Sequence, residues 1–122
     1  MKIDEMNFEI KEIDGVRNGK LVVFDGEILF SNTDKLTKYI EEKCVDDVEN
    51  PVLVIDCTNL YFLDSTGTLG LFNLHQKLRK CNGDMKIFGL NPQITDVCDK
   101  LGVFKFIGGY KTYEDAVGSI HK

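Results

Sequence analysis

Val52-Leu53-Val54-Ile55, the segment Asp56 to Tyr61, and then Leu63-Asp64-Ser65-Thr66-Gly67-Thr68-Leu69-Gly70-Leu71 form the stretch whose reading decides the fold. The first four residues are continuously apolar and partly β-branched, as in a strand covered on both faces. Asp56 to Tyr61 reads as a short polar crossing. A helix then opens at Ser65 and runs to about Lys80, with Asn82-Gly83 closing it through a glycine after the cap. The first turn of a helix carries free N–H groups and the positive end of the dipole, which favour an anion. A phosphate on Ser65 would sit in that field. Asp64 and Ser65 are also ordinary N-cap residues, and on local physics alone capping is the more frequent reason for such a pair.

Before this stretch, Met6-Asn7-Phe8-Glu9-Ile10-Lys11-Glu12-Ile13 starts in alternation, the period of a strand with one wet face. Asp14-Gly15 and Asn18-Gly19 are turn formers, and Leu21-Val22-Val23-Phe24 returns as a second strand. The two are expected to pair antiparallel, with the first at the sheet edge. Asp25-Gly26-Glu27-Ile28 leaves the second strand. Ser31-Asn32-Thr33-Asp34 has the S-x-x-D form of a capping box, and the helix behind it places Leu36, Tyr39, Ile40 and Cys44 at helical spacing. The acidic run from Val45 to Pro51, including Asp46-Asp47, reads as a solvated loop rather than a metal site.

After the stretch, Met85-Lys86-Ile87-Phe88 is a strand, and Asn91-Pro92 supplies an N-cap with proline at the first helical position. Ile94, Val97, Cys98 and Leu101 form the apolar stripe of that helix, and Gly102 stops it. Phe104-Lys105-Phe106-Ile107 reads as a last short strand and Gly108-Gly109 as a turn. Thr112-Tyr113-Glu114-Asp115 caps a final helix with Ala116, Val117 and Ile120 inward, and His121 falls in a frayed tail. The order β-β-α-β-α-β-α-β-α implies an α/β domain with right-handed crossovers and a mixed, mostly parallel sheet packed by about four helices.

The chain has 122 residues, enough for one domain, taken as 1–122 with a core at about 6–120. Hydrophobic residues make up 43% and charged residues 29%, the balance of a globular protein. The net charge of −5, with no Lys/Arg cluster, argues against nucleic acid and against an anionic membrane surface. No apolar run nears the roughly 20 residues of a membrane span, and Met1-Lys2-Ile3-Asp4-Glu5 carries acid too early for a signal peptide. Four cysteines, at 44, 57, 81 and 98, match no C-x-x-C or zinc spacing. Cys57 and Cys98 read as small core residues in a reducing, cytoplasmic compartment.

A turn of 100° per residue divides the helix from Ser65 into two faces. Leu71, Leu74 and Leu78, with His75, form the core stripe, and His75 reads as a half-buried core histidine. Ser65, Leu69, Phe72 and Gln76 share another face. Leu69 and Phe72 then either touch another helix of this domain or offer a partner surface beside the hydroxyl. No catalytic set emerges: neither histidine is placed as a base for Ser65, and there is no phosphate-binding loop of the G-x-x-x-x-G-K-S/T type and no G-x-G-x-x-G. The expectation is a protein that is not an enzyme and carries no cofactor and no metal.

At this point the chain resembles the STAS domains, in particular bacterial anti-sigma factor antagonists. Their D-S-S/T-G signature at the start of a helix matches Asp64-Ser65-Thr66-Gly67. Gly26-Glu27-Ile28, Asn82-Gly83 and the segment from Asn91-Pro92 to Leu101-Gly102-Val103-Phe104 match further family segments. Two positions depart: Leu29 stands where the family usually has Asp, and Thr68-Leu69 replaces a frequent Leu-Gly. The resemblance implies a binding switch controlled by phosphorylation of Ser65, with Thr66 as fallback acceptor. The unphosphorylated form would bind an anti-sigma factor that is itself a serine kinase, releasing a sigma factor, and a serine phosphatase would restore it. Asp64, Thr66, Gly67, Leu69 and Phe72, with Glu27, Ser31 and Asn32 from the neighbouring loop, are the expected contact face. The alternative is a STAS scaffold module of a transporter or sensory complex that does not cycle phosphate.

Overall fold

A computed structural model describes residues 2–4 and 6–120. His121 lies outside the described residues. Six strands form one sheet in sequential order: β1 (Lys2–Ile3), β2 (Met6–Glu12), β3 (Gly19–Ile28), β4 (Val52–Leu63), β5 (Asp84–Phe88) and β6 (Gly108–Tyr110). β1, β2 and β3 pair antiparallel, and β3 to β6 pair parallel. The edge position expected of the first long strand is taken instead by β1, two residues long, which covers β2.

Four α-helices pack on this sheet among the described residues: α1 (Thr33–Ile40), α2 (Ser65–Lys80), α3 (Pro92–Lys100) and α4 (Tyr113–Ile120). Neighbouring residues of β4 point to opposite faces. Leu53, Ile55 and Cys57 join Leu36, Ile40, Leu74, Leu78 and Ile94 in the main core. Val54 joins Phe88 and Ala116 under α4 on the other side. The mixed sheet between two helical layers is the architecture expected from the order of elements.

β4 is longer than its apolar run suggests. Asp56 to Tyr61 is strand, not a crossing, and β3 likewise continues through Asp25-Gly26-Glu27 to Ile28. Ten residues of β3 lie beside twelve of β4. The register shifts between Val23 and Asp25 and again between Gly26 and Glu27 absorb the difference as two bulges in β4. Gly26 has φ of 137°, a conformation other residues rarely adopt. At the first bulge Asp56 Oδ1 accepts from the N–H of Thr58 at 2.9 Å. Polar side chains that normally mark loops here serve the irregular half of a strand.

Other boundaries also differ from the sequence reading. α1 begins at Thr33 after Asn32, and the Ser31 capping box does not form. α1 widens at Glu41–Val45 into a π-helical turn, which carries Cys44 into the core. α2 ends with Asn82, not Gly83, in the left-handed conformation (φ 59°). Gly83 is needed for another reason: Pro51 lies where its Cβ would be. The Phe104–Ile107 stretch is not a strand. Val103–Lys105 is a single 3-10 turn and the strand falls on Gly108–Tyr110. A Cβ on Gly109 would lie 2.6 Å from the Phe104 ring, so the glycine that reads as a turn signal is what lets that ring lie on the strand. In α3, Ile94 and Cys98 are buried, but Val97 and Leu101 are exposed, so the stripe is narrower than expected. The caps of α3 and α4 form as read: Asn91 Oδ1 accepts from Ile94 N–H at 2.8 Å, and Thr112 Oγ1 from Asp115 N–H at 3.1 Å.

Candidate functional site at the start of α2

Asp64 organises the site. Its backbone is extended, and its Oδ1 accepts from the Gly67 N–H at 2.7 Å, the usual N-cap bond. Its other oxygen, Oδ2, accepts from the Phe30 N–H at 2.9 Å, across 34 residues of chain. The Asp64 N–H donates to the Ile28 carbonyl at 3.2 Å, and the Thr68 hydroxyl donates to the Asp64 carbonyl at 2.9 Å. One aspartate thus caps α2 and ties the β3–α1 loop to it. Asn32 holds the same loop from inside. It accepts from Leu29 N–H at 2.9 Å and donates from Nδ2 to the Glu27 carbonyl at 2.8 Å.

Gly67 brings the two segments together. A Cβ there would stand 2.8 Å from both the Ile28 carbonyl oxygen and the Leu63 side chain. The D-S-T-G signature therefore has a structural content at each end: the aspartate caps and ties, and the glycine permits close packing of the helix on β3 and β4. Between them Ser65 is exposed, and its hydroxyl has no hydrogen-bond partner among the described residues.

The candidate residues do not share one surface. Glu27, Ser31, Ser65 and Leu69 are exposed, Thr66 and Phe72 are half-buried, and Asn32 and Gly67 are buried. Asn32 and Gly67 shape the face from beneath instead of forming it. Leu69 is 57% exposed. Phe72 has a partner inside the domain: its ring meets Phe106 edge-on at 5.3 Å. Phe72 is thus covered by its own chain, at the residue after a 3-10 turn and not by another helix, while Leu69 is left exposed.

Three exposed aromatic residues went unnoticed in the sequence. Phe30 is 78% exposed, Tyr61 65% and Phe62 44%. Phe30 follows the loop residue Leu29, and Phe62 pairs in register with Glu27 beside the second bulge. The signal available was Tyr61-Phe62 side by side, which strand alternation cannot bury together. Below the site, a groove of about 340 Å³ opens between α2 and the turn after α3. Ser65, Thr68, Leu69, Phe72, Leu101 and Phe106 are among the residues that line it. Leu101, out of its expected stripe, belongs to this groove.

The inward face of α2 is fixed. Leu71, Leu74 and Leu78 are buried, as is His75. His75 Nε2 stands 3.6 Å from Asp84 Oδ1, and its Nδ1 has no hydrogen-bond partner among the described residues. Burial lowers the imidazole pKa, and the nearby Arg79 and Lys86 add to that, while Asp84 opposes it. The same physics acts on the buried thiols: burial raises the pKa of Cys44 to about 11 and pushes Cys57 and Cys98 up as well, which disfavours their thiolates. Cys81 is exposed. Among the described residues no group of His, Cys, Asp or Glu could hold a metal ion, and no helix is long and apolar enough to cross a membrane.

Comparison with known proteins agrees with this geometry. The chain is 24% identical over 112 residues to an anti-sigma F factor antagonist of Paenibacillus polymyxa, covering 92% of this chain and 94% of that one. The structure superposes on an anti-sigma factor antagonist from Mycobacterium paratuberculosis with a TM-score of 0.80 and 25% identity, covering 96% and 95% of the two chains. The STAS domain of a SulP transporter from Vibrio cholerae shares the fold at a TM-score of 0.64 and 21% identity, over 81% and 77%. The model of the STAS domain matches residues 7–116, almost the whole length, and the chain belongs to that family.

Proposed function

We propose that this protein is an anti-sigma factor antagonist-like switch, a binding protein and not an enzyme, controlled by phosphorylation of Ser65. The observation that carries the reading is the state of the Ser65 hydroxyl. It is exposed and unbonded at the mouth of α2, on the rim of an apolar groove, while the aspartate beside it is fully engaged. A kinase can reach such a hydroxyl without unfolding the cap. Thr66, half-buried, is the lesser acceptor.

In the unphosphorylated state Leu69, Phe30 and Phe62 offer apolar anchors to an anti-sigma factor/serine kinase, rimmed by Glu27, Ser31 and Ser65. A phosphoryl group adds close to two negative charges next to the Asp64 carboxylate and the apolar groove. The contact would then bury an unpaired dianion, and a thousandfold loss of affinity needs only about 4 kcal/mol. A serine phosphatase returns the chain to the binding state. Localisation in the cytoplasm, with the kinase and its ATP, follows from the same reading.

A second reading has one observation in its favour. Leu29 replaces the acidic residue that the family usually carries in the loop beside the signature, and the structure places its N–H on Asn32 in that loop. A scaffold module of a transporter or sensory complex would need neither the acid nor the phosphate. Binding of the Ser65→Asp and Ser65→Ala variants to an anti-sigma factor kinase from the same cells separates the two. The switch requires the Asp variant to bind about a hundredfold more weakly than the Ala variant, a difference of about 2.7 kcal/mol. Equal affinities remove it.

A further inference from the structure

A second concavity, of about 670 Å³, lies away from Ser65. It is formed where the parallel strands β5 and β6 end, between α3 and the β6–α4 turn, and Gly89, Leu90, Pro92, Phe104 and Lys111 are among the residues that line it. The carboxyl ends of parallel strands are where open α/β sheets most often take small ligands, and the volume falls in the usual range for such sites.

Its walls are held in place. The Gly89 N–H donates to the Tyr110 carbonyl at 3.2 Å, joining the two strand ends. Gly89 has φ of 78°, and a Cβ there would lie 2.6 Å from Thr58 Oγ1. The Phe104 ring lies on Gly109, and the Tyr110 ring comes within 3.1 Å of where a Gly108 Cβ would be. The two rings thus lie on opposite faces of β6, Phe104 on the α3 side and Tyr110 on the α4 side. The Thr95 hydroxyl is already donated to the Asn91 carbonyl at 2.8 Å.

The charge of the cavity runs against that of the chain. The protein carries a net charge of −5, yet no carboxylate among the described residues lines this space. Among the described residues Lys111 is the single charged side chain in the lining, and it forms no ion pair with them. One ammonium group suits one negative charge. A dianion would gain from a second cation or a nest of free backbone N–H groups, and among the described residues the lining adds no arginine and has committed the Gly89 N–H. The Phe104 ring, apolar Leu90 and Pro92, and one cation at the rim suit a flat apolar body with a single anionic end.

The geometry points to a small-molecule site for an aromatic monocarboxylate at the β5–β6 end, separate from the Ser65 face. The probe is 2-naphthoate, with 2-naphthalenemethanol as its uncharged counterpart, each titrated into the ¹⁵N-labelled full chain and followed by amide shifts. Saturable shifts at Gly89, Thr95, Gly109 and Lys111 are expected, with the carboxylate about fivefold tighter than the alcohol, as a partly exposed ion pair provides. Lys111→Gln, a change at an exposed side chain, should abolish that preference and leave the affinity for the alcohol unaltered. Shifts centred on Leu69 and Phe106, no saturation up to about 10 mM, or a preference for the carboxylate that survives Lys111→Gln would each overturn the assignment.

Discussion

The two faces of α2 obey different rules. The inward face, with Leu71, Leu74, His75 and Leu78, is closed against the sheet. The outward face, with Ser65 and Leu69, is open, and Phe72 between them is half covered by Phe106. One helix therefore carries both a packing surface that stability depends on and an exposed surface that it does not. The difference teaches where to look for function: at the apolar side chains the domain leaves unpaired.

Truncation should show the contrast at its largest. Leu74→Ala opens a cavity in the core and is expected to cost about 3 kcal/mol of unfolding free energy, whereas Leu69→Ala, on an exposed position, should stay within about 0.5 kcal/mol. Urea denaturation of both variants checks this. A large loss for Leu69→Ala would mean that the outward face is part of the core after all.

A smaller effect is expected at the junction of the two faces. Asp64→Ala removes the cap of α2 and frees the Phe30 N–H, which should cost about 1 to 2 kcal/mol. Amide exchange at Phe30 and Gly67 should rise together in this variant, because one side chain holds both. If only Gly67 responds, the tie to the β3–α1 loop is of no consequence.

The smallest effect is one of pH on the closed face. Burial lowers the His75 pKa in the folded protein, so the unfolded chain takes up a proton first as the pH falls. Stability should be full above the unfolded value of about 6.5 and decline as the pH drops through it. His75→Gln should flatten the melting temperature between about pH 7.5 and 5.5 relative to the parent chain. An equal decline in both proteins would place the titrating group elsewhere.

Much of this was legible in the sequence, and the failures share a cause. The helical period sorted α2 into its two faces because Leu71, Leu74 and Leu78 recur at helical spacing. The caps at Asp64, Asn91 and Thr112 were legible because their chemistry is local. β4 was not, since Asp56 to Tyr61 is stabilised by pairing with β3 through two bulges, a long-range effect that overrides local polarity. β6 was missed for the same reason. Two adjacent glycines favour a turn, and only their pairing with Lys86 and Ile87 of β5 makes them a strand. At the site, Leu101 and Phe106 left their expected elements to line the groove, and Phe30 was hidden in a loop whose conformation is set by Asp64 and Asn32.

The most direct test of the Ser65 switch is the intact mass of the protein taken from its own cells, with fragmentation across residues 61 to 80. A population heavier by the mass of HPO₃, about 80 Da, localised to Ser65 and changing in abundance with growth or stress, is the predicted result. A single unmodified mass under growth, starvation and stress alike would contradict the switch and leave the scaffold reading in its place.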